Sequence, residues 1–216
     1  MVRAKDMSIT PGEYYHLYVR GAVKQNIFLY TRDYVRIIFL LLYFQSSVQV
    51  RNISRYVTYF TKHGVFKLTN DKKEKLLKNR CVELVSFTIM PNHLHLTVRE
   101  LTEGGIPQYM KKVLGGYAKY FNVKYKKTGH VFQGAYNAVH IESNEQMIYV
   151  SAYIHRNPRE IKGWENKEHL YPWSSFQDYI KENRWGEFLS PNIVLEQFKN
   201  PLEYKKNVET SVAKEN

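Results

Sequence analysis

The sequence predicts an α+β domain built on an antiparallel sheet with helices packed on one face, a ferredoxin-like arrangement. Three observations carry this: a strand–turn–strand unit at residues 82–98, two helices flanking it with legible starts, and an alternation that runs β-α-β-β-α-β-α.

The elements follow in chain order. Pro11-Gly12 opens a β-prone aromatic stretch, Tyr14 to Arg20, that Gly21 ends. Thr31 or Asp33 can cap a helix through Val35, Ile38, Leu41 and Leu42 to about Phe44. Residues 45–80 have mixed periodicity, and Asp71 to Arg80 reads as a solvated helix end or a loop. Val82 to Met90 and His93 to Val98 are strands joined by a Pro91-Asn92 turn. Pro107 suits the first turn of a helix reaching about Tyr125, weakened by Gly115-Gly116. Gly129 to Ile141 is extended, with Tyr136 to Ile141 its strand. Ser143 and Gln146 form a capping box for a helix through Met147, Val150, Ser151 and Ile154 that Pro158 halts. Residues 12–160 are thus expected to form the main domain. Residues 161–216, with Trp164, Trp173 and Trp185, form an extension of short helices ending in a frayed charged tail.

Composition narrows the function. The longest apolar or aromatic run, Ile37 to Phe44, is far short of the roughly 18 to 20 residues that cross a bilayer, so a buried helix is expected and no membrane partner. The start of the chain has no apolar stretch before a cleavage site, so a cytoplasmic protein is expected. One cysteine, Cys81, excludes an internal disulfide framework and a cysteine-rich zinc cage. A net charge of +12 favours a polyanionic partner, nucleic acid first. Between Glu103 and Glu142 there is no acidic residue but six lysines, Lys111, Lys112, Lys119, Lys124, Lys126 and Lys127. Aromatic residues are interleaved with them, a mixture suited to single-stranded nucleic acid. Ile106, Tyr109, Met110, Val113, Tyr117 and Tyr120 share helical spacing and are assigned to packing, which leaves DNA binding to the lysines.

Two short motifs carry chemistry. His93 and His95 lie two apart on a strand, so both imidazoles project to one face where a divalent cation can sit, with Leu94 anchored behind. Eight histidines in 216 residues give about 0.3 such pairs by chance, and two polar residues on the open face of a strand produce the same pattern. At the end of the last helix, Tyr149, Tyr153 and Asn157 recur every four residues on one stripe. If that stripe faces the histidines, Asn157 can add a third ligand while Tyr153 presents its hydroxyl to a bound phosphate.

The run Met90-Pro91-Asn92-His93-Leu94-His95, with Tyr153-Ile154-His155-Arg156-Asn157-Pro158, resembles the single-tyrosine HUH transposases, specifically their REP-associated branch. Tyr15 to Gly21, Phe121-Asn122, Gly129 to Gln133 and Tyr171-Pro172-Trp173-Ser174-Ser175 are similar to that family in the same order, so the likeness spans roughly residues 12–180. It implies an HUH endonuclease fold, with His93, His95 and Asn157 holding Mg²⁺ or Mn²⁺ and Tyr153 as nucleophile. The implied activity is cleavage and rejoining of single-stranded or hairpin DNA through a 5′-phosphotyrosine, in a chain that can act as a homodimer. Residues 45–80 depart from the family by being longer there. A replication-initiator nickase and a non-catalytic hairpin-binding protein remain as alternatives, as does an RNA-binding module, which would need stacking aromatics on its strands and no metal.

Overall fold

The structure, a computed structural model, describes residues 8–213. Its centre is a four-stranded antiparallel sheet of β1 (Tyr14–Arg20), β2 (Val82–Met90), β3 (His93–Glu100) and β4 (Asn137–Ile141), in the order β2-β3-β1-β4. Alternation divides each strand between two layers. Leu17, Val19, Leu94, Leu96, Leu84 and Phe87 point into one core, shared with α1 (Thr31–Tyr43) and α4 (Gly105–Tyr125). The pairing Tyr18↔His95↔Thr88 marks the other face.

The α+β class and the antiparallel sheet are as the sequence predicts, but helices occupy both faces. The helix expected after Ser143, α5 (Asn144–Arg156), covers β2 and β3 on the second face. It buries Met147, Val150 and Ile154 in a separate core with Val85, Phe176, Tyr179 and Tyr204. The Ser143 hydroxyl accepts from the Gln146 backbone N–H, while the Gln146 side chain accepts from Glu142 rather than closing the box on Ser143.

Asp33 is the cap of α1, acting from inside its first turn. Its carboxylate accepts from the backbone N–H groups of Leu29 and Tyr30, and also from Tyr120, Lys124 and Tyr125 of α4. Burial pushes this carboxyl up, but the bonds from Lys124, Tyr125, Tyr120 and Tyr30 outweigh it and hold the acid below its usual range. The glycine pair does not interrupt α4: Gly116 lies against Leu40 of α1 and Phe44, the residue that caps its C-terminus.

Residues 45–80 are two helices, α2 (Ile53–His63) and α3 (Asn70–Lys78), so the charged stretch after Asp71 is mostly helical. Each buries one apolar residue fully, Val57 and Leu76. α2 rests on α1.

The tail is not frayed as far as Thr210. After α6 (Phe176–Ile180) and α7 (Asn192–Leu195), helix α8 (Pro201–Thr210) starts at Asn200, whose side chain accepts from the Glu203 N–H, and buries Tyr204 and Val208. Residues 173–175 lie along the outer edge of β2: Ile89 donates to the Trp173 carbonyl, Ser175 donates to the Phe87 carbonyl, and the Phe87 N–H donates to Ser175 Oγ.

His155, fully buried, ties these layers together. Nδ1 bonds the Tyr204 hydroxyl and Nε2 lies 2.8 Å from Ser175 Oγ, with the ring stacked on Phe176. Burial drives this imidazole down to about 3 from an ordinary value of 6.5. The unfolded chain therefore binds a proton that the folded chain refuses. Stability present above pH 6.5 is expected to be lost as the pH falls towards 3, by up to roughly 4 kcal/mol. Denaturant titrations at pH 7, 5 and 4 check this. The wild-type protein should lose much more stability over that range than His155→Gln, and parallel pH profiles for the two would remove His155 as the cause.

Candidate active site

β3 and β1 set the site. Because His93 and His95 are two apart on β3, both stand on the face that α5 crosses, each 7% exposed, with the rings 5.1 Å apart and perpendicular. Leu94 is buried on the opposite face, in the core with α1 and α4. The turn before β3 is clamped: the Pro91 carbonyl accepts from Ile27 and Phe28, and the Asn92 carbonyl accepts from Gly21. Gly21 has to be glycine, since a Cβ there would collide with the Gln25 carbonyl and Ile27.

Hydrogen bonds fix what each imidazole presents. The Asn92 amide donates Nδ2 to the Lys24 carbonyl, which leaves its Oδ1, 2.6 Å from His93 Nδ1, as an acceptor. His93 Nδ1 therefore carries the proton. In the neutral ring, His93 Nε2 is then a lone pair, and it lies 3.3 Å from Asn157 Oδ1. Asn157 is fixed in the same way, because its Nδ2 donates to the Tyr153 carbonyl. Two lone-pair donors thus face one another at the spacing of neighbouring ligands on one cation: donors each about 2.1 Å from a metal sit roughly 3 Å apart at adjacent octahedral positions. This donor set is mixed: its amide oxygen suits hard cations such as Mg²⁺ or Mn²⁺, whereas its two imidazole nitrogens favour softer transition metals. Among the described residues, no group of three or more His, Cys, Asp and Glu could hold a metal ion.

The helical stripe divides. Tyr153 is half-buried, with its ring 5.4 Å from His95 and 5.7 Å from His16, edge on to both. Asn157 is fully buried, whereas Tyr149 is 50% exposed. His93, His95, Tyr153 and Asn157 are thus brought together on one side of a cleft of about 840 Å³ that Arg20, Gln133 and Glu160 also line. The Tyr153 phenol is raised above its ordinary value by burial first, then by Glu160, Tyr18 and Tyr149, with Arg20 opposing.

The lysines are not brought to the cleft. α4 packs on the opposite face of the sheet, and Lys111, Lys119, Lys126 and Lys127 stand on its solvent side. Lys112 reaches the Ser46 carbonyl. Lys124 is bound to Asp33 and lies over the rings of Tyr30, Tyr120 and Tyr125, so as a packing cation it is a poor candidate for DNA.

His16 is the neighbour that the motif reading passed over. It stands on β1 on the same face as Tyr18, its Nε2 2.9 Å from His95 Nδ1, and burial drives it down to about 4. The alternation of Tyr15, Leu17 and Val19 inward could have placed it beside the histidine pair once β1 was paired with β3.

A sheet of this order, with a histidine pair on its second central strand and a tyrosine helix laid across them, defines the class. A solved structure of a REP-associated tyrosine transposase bound to a REP hairpin shares this fold, with a TM-score of 0.51 and 13% identity over 89% of this chain and 93% of that one. The family described as "Transposase IS200 like" matches residues 43–157, more than half of the chain. The protein belongs to the IS200-like transposase family. No curated protein matches it in sequence. No helix among the described residues is long and apolar enough to cross a membrane.

Proposed function

We propose that the protein is a single-stranded DNA endonuclease and strand transferase that acts on hairpin or palindromic DNA through a 5′-phosphotyrosine at Tyr153. The observation that carries this is the meeting of His93 Nε2 and Asn157 Oδ1 beside His95 and Tyr153 in one cleft. The structure of the REP-associated transposase with its hairpin supports the choice of DNA.

His93, His95 and Asn157 would hold a divalent cation, Mg²⁺ or Mn²⁺, which when bound withdraws charge from a scissile phosphate. The chain's own groups do the rest. Asn92 keeps His93 in the tautomer whose Nε2 carries no proton, and His16 Nε2 would do the same for His95 by accepting its Nδ1 proton. Tyr153 Oη attacks phosphorus, the bond to the 3′ oxygen breaks, and the phenol proton ends on that oxygen as a 3′-hydroxyl. Because the phenol is raised, it reaches the phosphate still protonated near neutral pH and loses its proton as it attacks. Arg20, on the cleft wall, is a cation for the phosphate. Joining is the same step reversed with another 3′-hydroxyl, and the phosphodiester energy is conserved in the phosphotyrosine, so no nucleotide is consumed.

The test is nicking of a labelled single-stranded hairpin oligonucleotide with and without chelator. Cleavage with a protein–DNA adduct on a denaturing gel, lost on chelation and restored by Mg²⁺ or Mn²⁺, is expected. Cleavage indifferent to chelator would refute the metal assignment, and tight binding with no adduct under any condition would leave a hairpin-binding protein.

A further inference from the structure

The cationic surface is concentrated away from the cleft. Residues 51–80 hold nine Lys or Arg against two acidic residues, Asp71 and Glu74, a net +7 of the chain's +12. They form α2, α3 and the connecting loop. α2 rests on α1, and α1 packs on the sheet face opposite His93 and His95, so this charge lies on the far side of the sheet from Tyr153.

A merely solvated basic face scatters its cations and interleaves carboxylates. Here Arg51, Arg55, Lys67 and Lys72 converge with Tyr56 and Tyr59 on one groove of about 600 Å³, and no carboxylate lines it. The two lysines are held in place. Lys72 Nζ donates to the Tyr56 hydroxyl at 2.9 Å and lies 5.1 Å from that ring, while Lys67 Nζ lies 5.6 Å from the Tyr59 ring. Cations pre-positioned on aromatic faces lose less side-chain entropy when an anion arrives. Arg55, Tyr59 and Lys62 continue the basic surface along α2 as far as His63.

We propose that the α2–α3 groove is a second DNA-binding site, which takes the phosphate backbone of a duplex segment of the substrate other than the strand at Tyr153. The choice of DNA rests on the transposase reading above. The choice of a separate duplex segment rests on position. A duplex with a persistence length of about 150 bp resists bending round the sheet to occupy cleft and groove together, a bend that costs on the order of several kcal/mol, whereas a separate segment reaches the groove without that cost. Backbone neutralisation also needs only clustered cations, which this groove supplies without a recognition helix.

The test compares the wild-type protein with Arg55→Gln/Lys67→Gln/Lys72→Gln, three exposed or half-buried surface positions. Two readouts are taken: affinity for a 20-bp duplex at several salt concentrations, and adduct formation on a short single-stranded oligonucleotide. The expected result is a fall of about 10-fold or more in duplex affinity and a loss of about 2 to 3 from the slope of log K against log salt, with adduct formation unchanged. An unchanged slope overturns the proposal. So does an equal loss of adduct, which would place the groove's effect at the cleft or in the fold. A duplex RNA of the same length whose affinity falls while that of DNA does not overturns the choice of partner. The duplex arm does not involve Tyr153, so an inactive Tyr153 and an idle groove give different outcomes.

Discussion

Tyr153→Phe is expected to bind DNA and divalent cation like the wild-type protein but to form no adduct, with cleavage lowered by about 10³-fold or more, the scale on which removing a nucleophile acts. Tyr149→Phe should still form the adduct. Sequence spacing places both tyrosines on one helical stripe, and the structure separates them. Tyr149 is half exposed and two turns from Asn157, whereas the Tyr153 ring lies against His95 and its carbonyl holds the Asn157 amide in place. Removing only a hydroxyl leaves that carbonyl and the ring packing intact, so folding is not the issue. The result that sinks the assignment is an adduct on Tyr153→Phe, or peptide mapping that puts the DNA on another tyrosine.

His93→Ala and His95→Ala should each lower cleavage by about 10²-fold or more while hairpin affinity stays within a few-fold, and calorimetry should show weakened binding of Mn²⁺. The separation is geometric: the histidines face the α5 side of the sheet, and the abundant cations of α2, α3 and α4 face the other. His16→Ala should weaken Mn²⁺ binding less, since it is not among the three proposed ligands and acts only by orienting His95, through Nδ1 and ring stacking. Hairpin binding that falls in step with cleavage in His93→Ala would show that the cleft itself supplies the affinity.

The strands, the hairpin, α1, α4 and α5 were legible because each buries a continuous stripe against the sheet, and such stripes leave period 2 or 3.6 in the sequence. α2 and α3 lie on the helix layer rather than on the sheet. They bury one residue each completely, Val57 and Leu76, too few to write a period. Tyr204 was hidden for a related reason, since one aromatic ring in a charged stretch gives no pattern until α5 and its His155 are in place to receive it. Spacing puts His93 with His95 on one strand face and Tyr153 with Asn157 on one helical stripe, but that the two pairs meet follows only once α5 is laid across β3. The position of the lysines could not be read from spacing either. Periodicity tells which stripe of α4 is buried but not which face of the sheet buries it, and that choice put Lys111 and Lys119 across the sheet from the cleft.

The strip of chain at 173–175 bears on how short this protein can be made. β2 is the outermost strand on its side of the sheet, and its outward N–H and C=O groups at Phe87 and Ile89 are taken up by Trp173, Ser174 and Ser175, with the Tyr171 hydroxyl on the Ile89 carbonyl. A chain cut after Pro158 keeps all four residues of the site but bares that row, together with the apolar side of α5 that Phe176, Tyr179 and Tyr204 cover. An uncapped strand edge beside an apolar surface is a template for foreign strands, so the trimmed protein would self-associate edge to edge before its chemistry could be assayed.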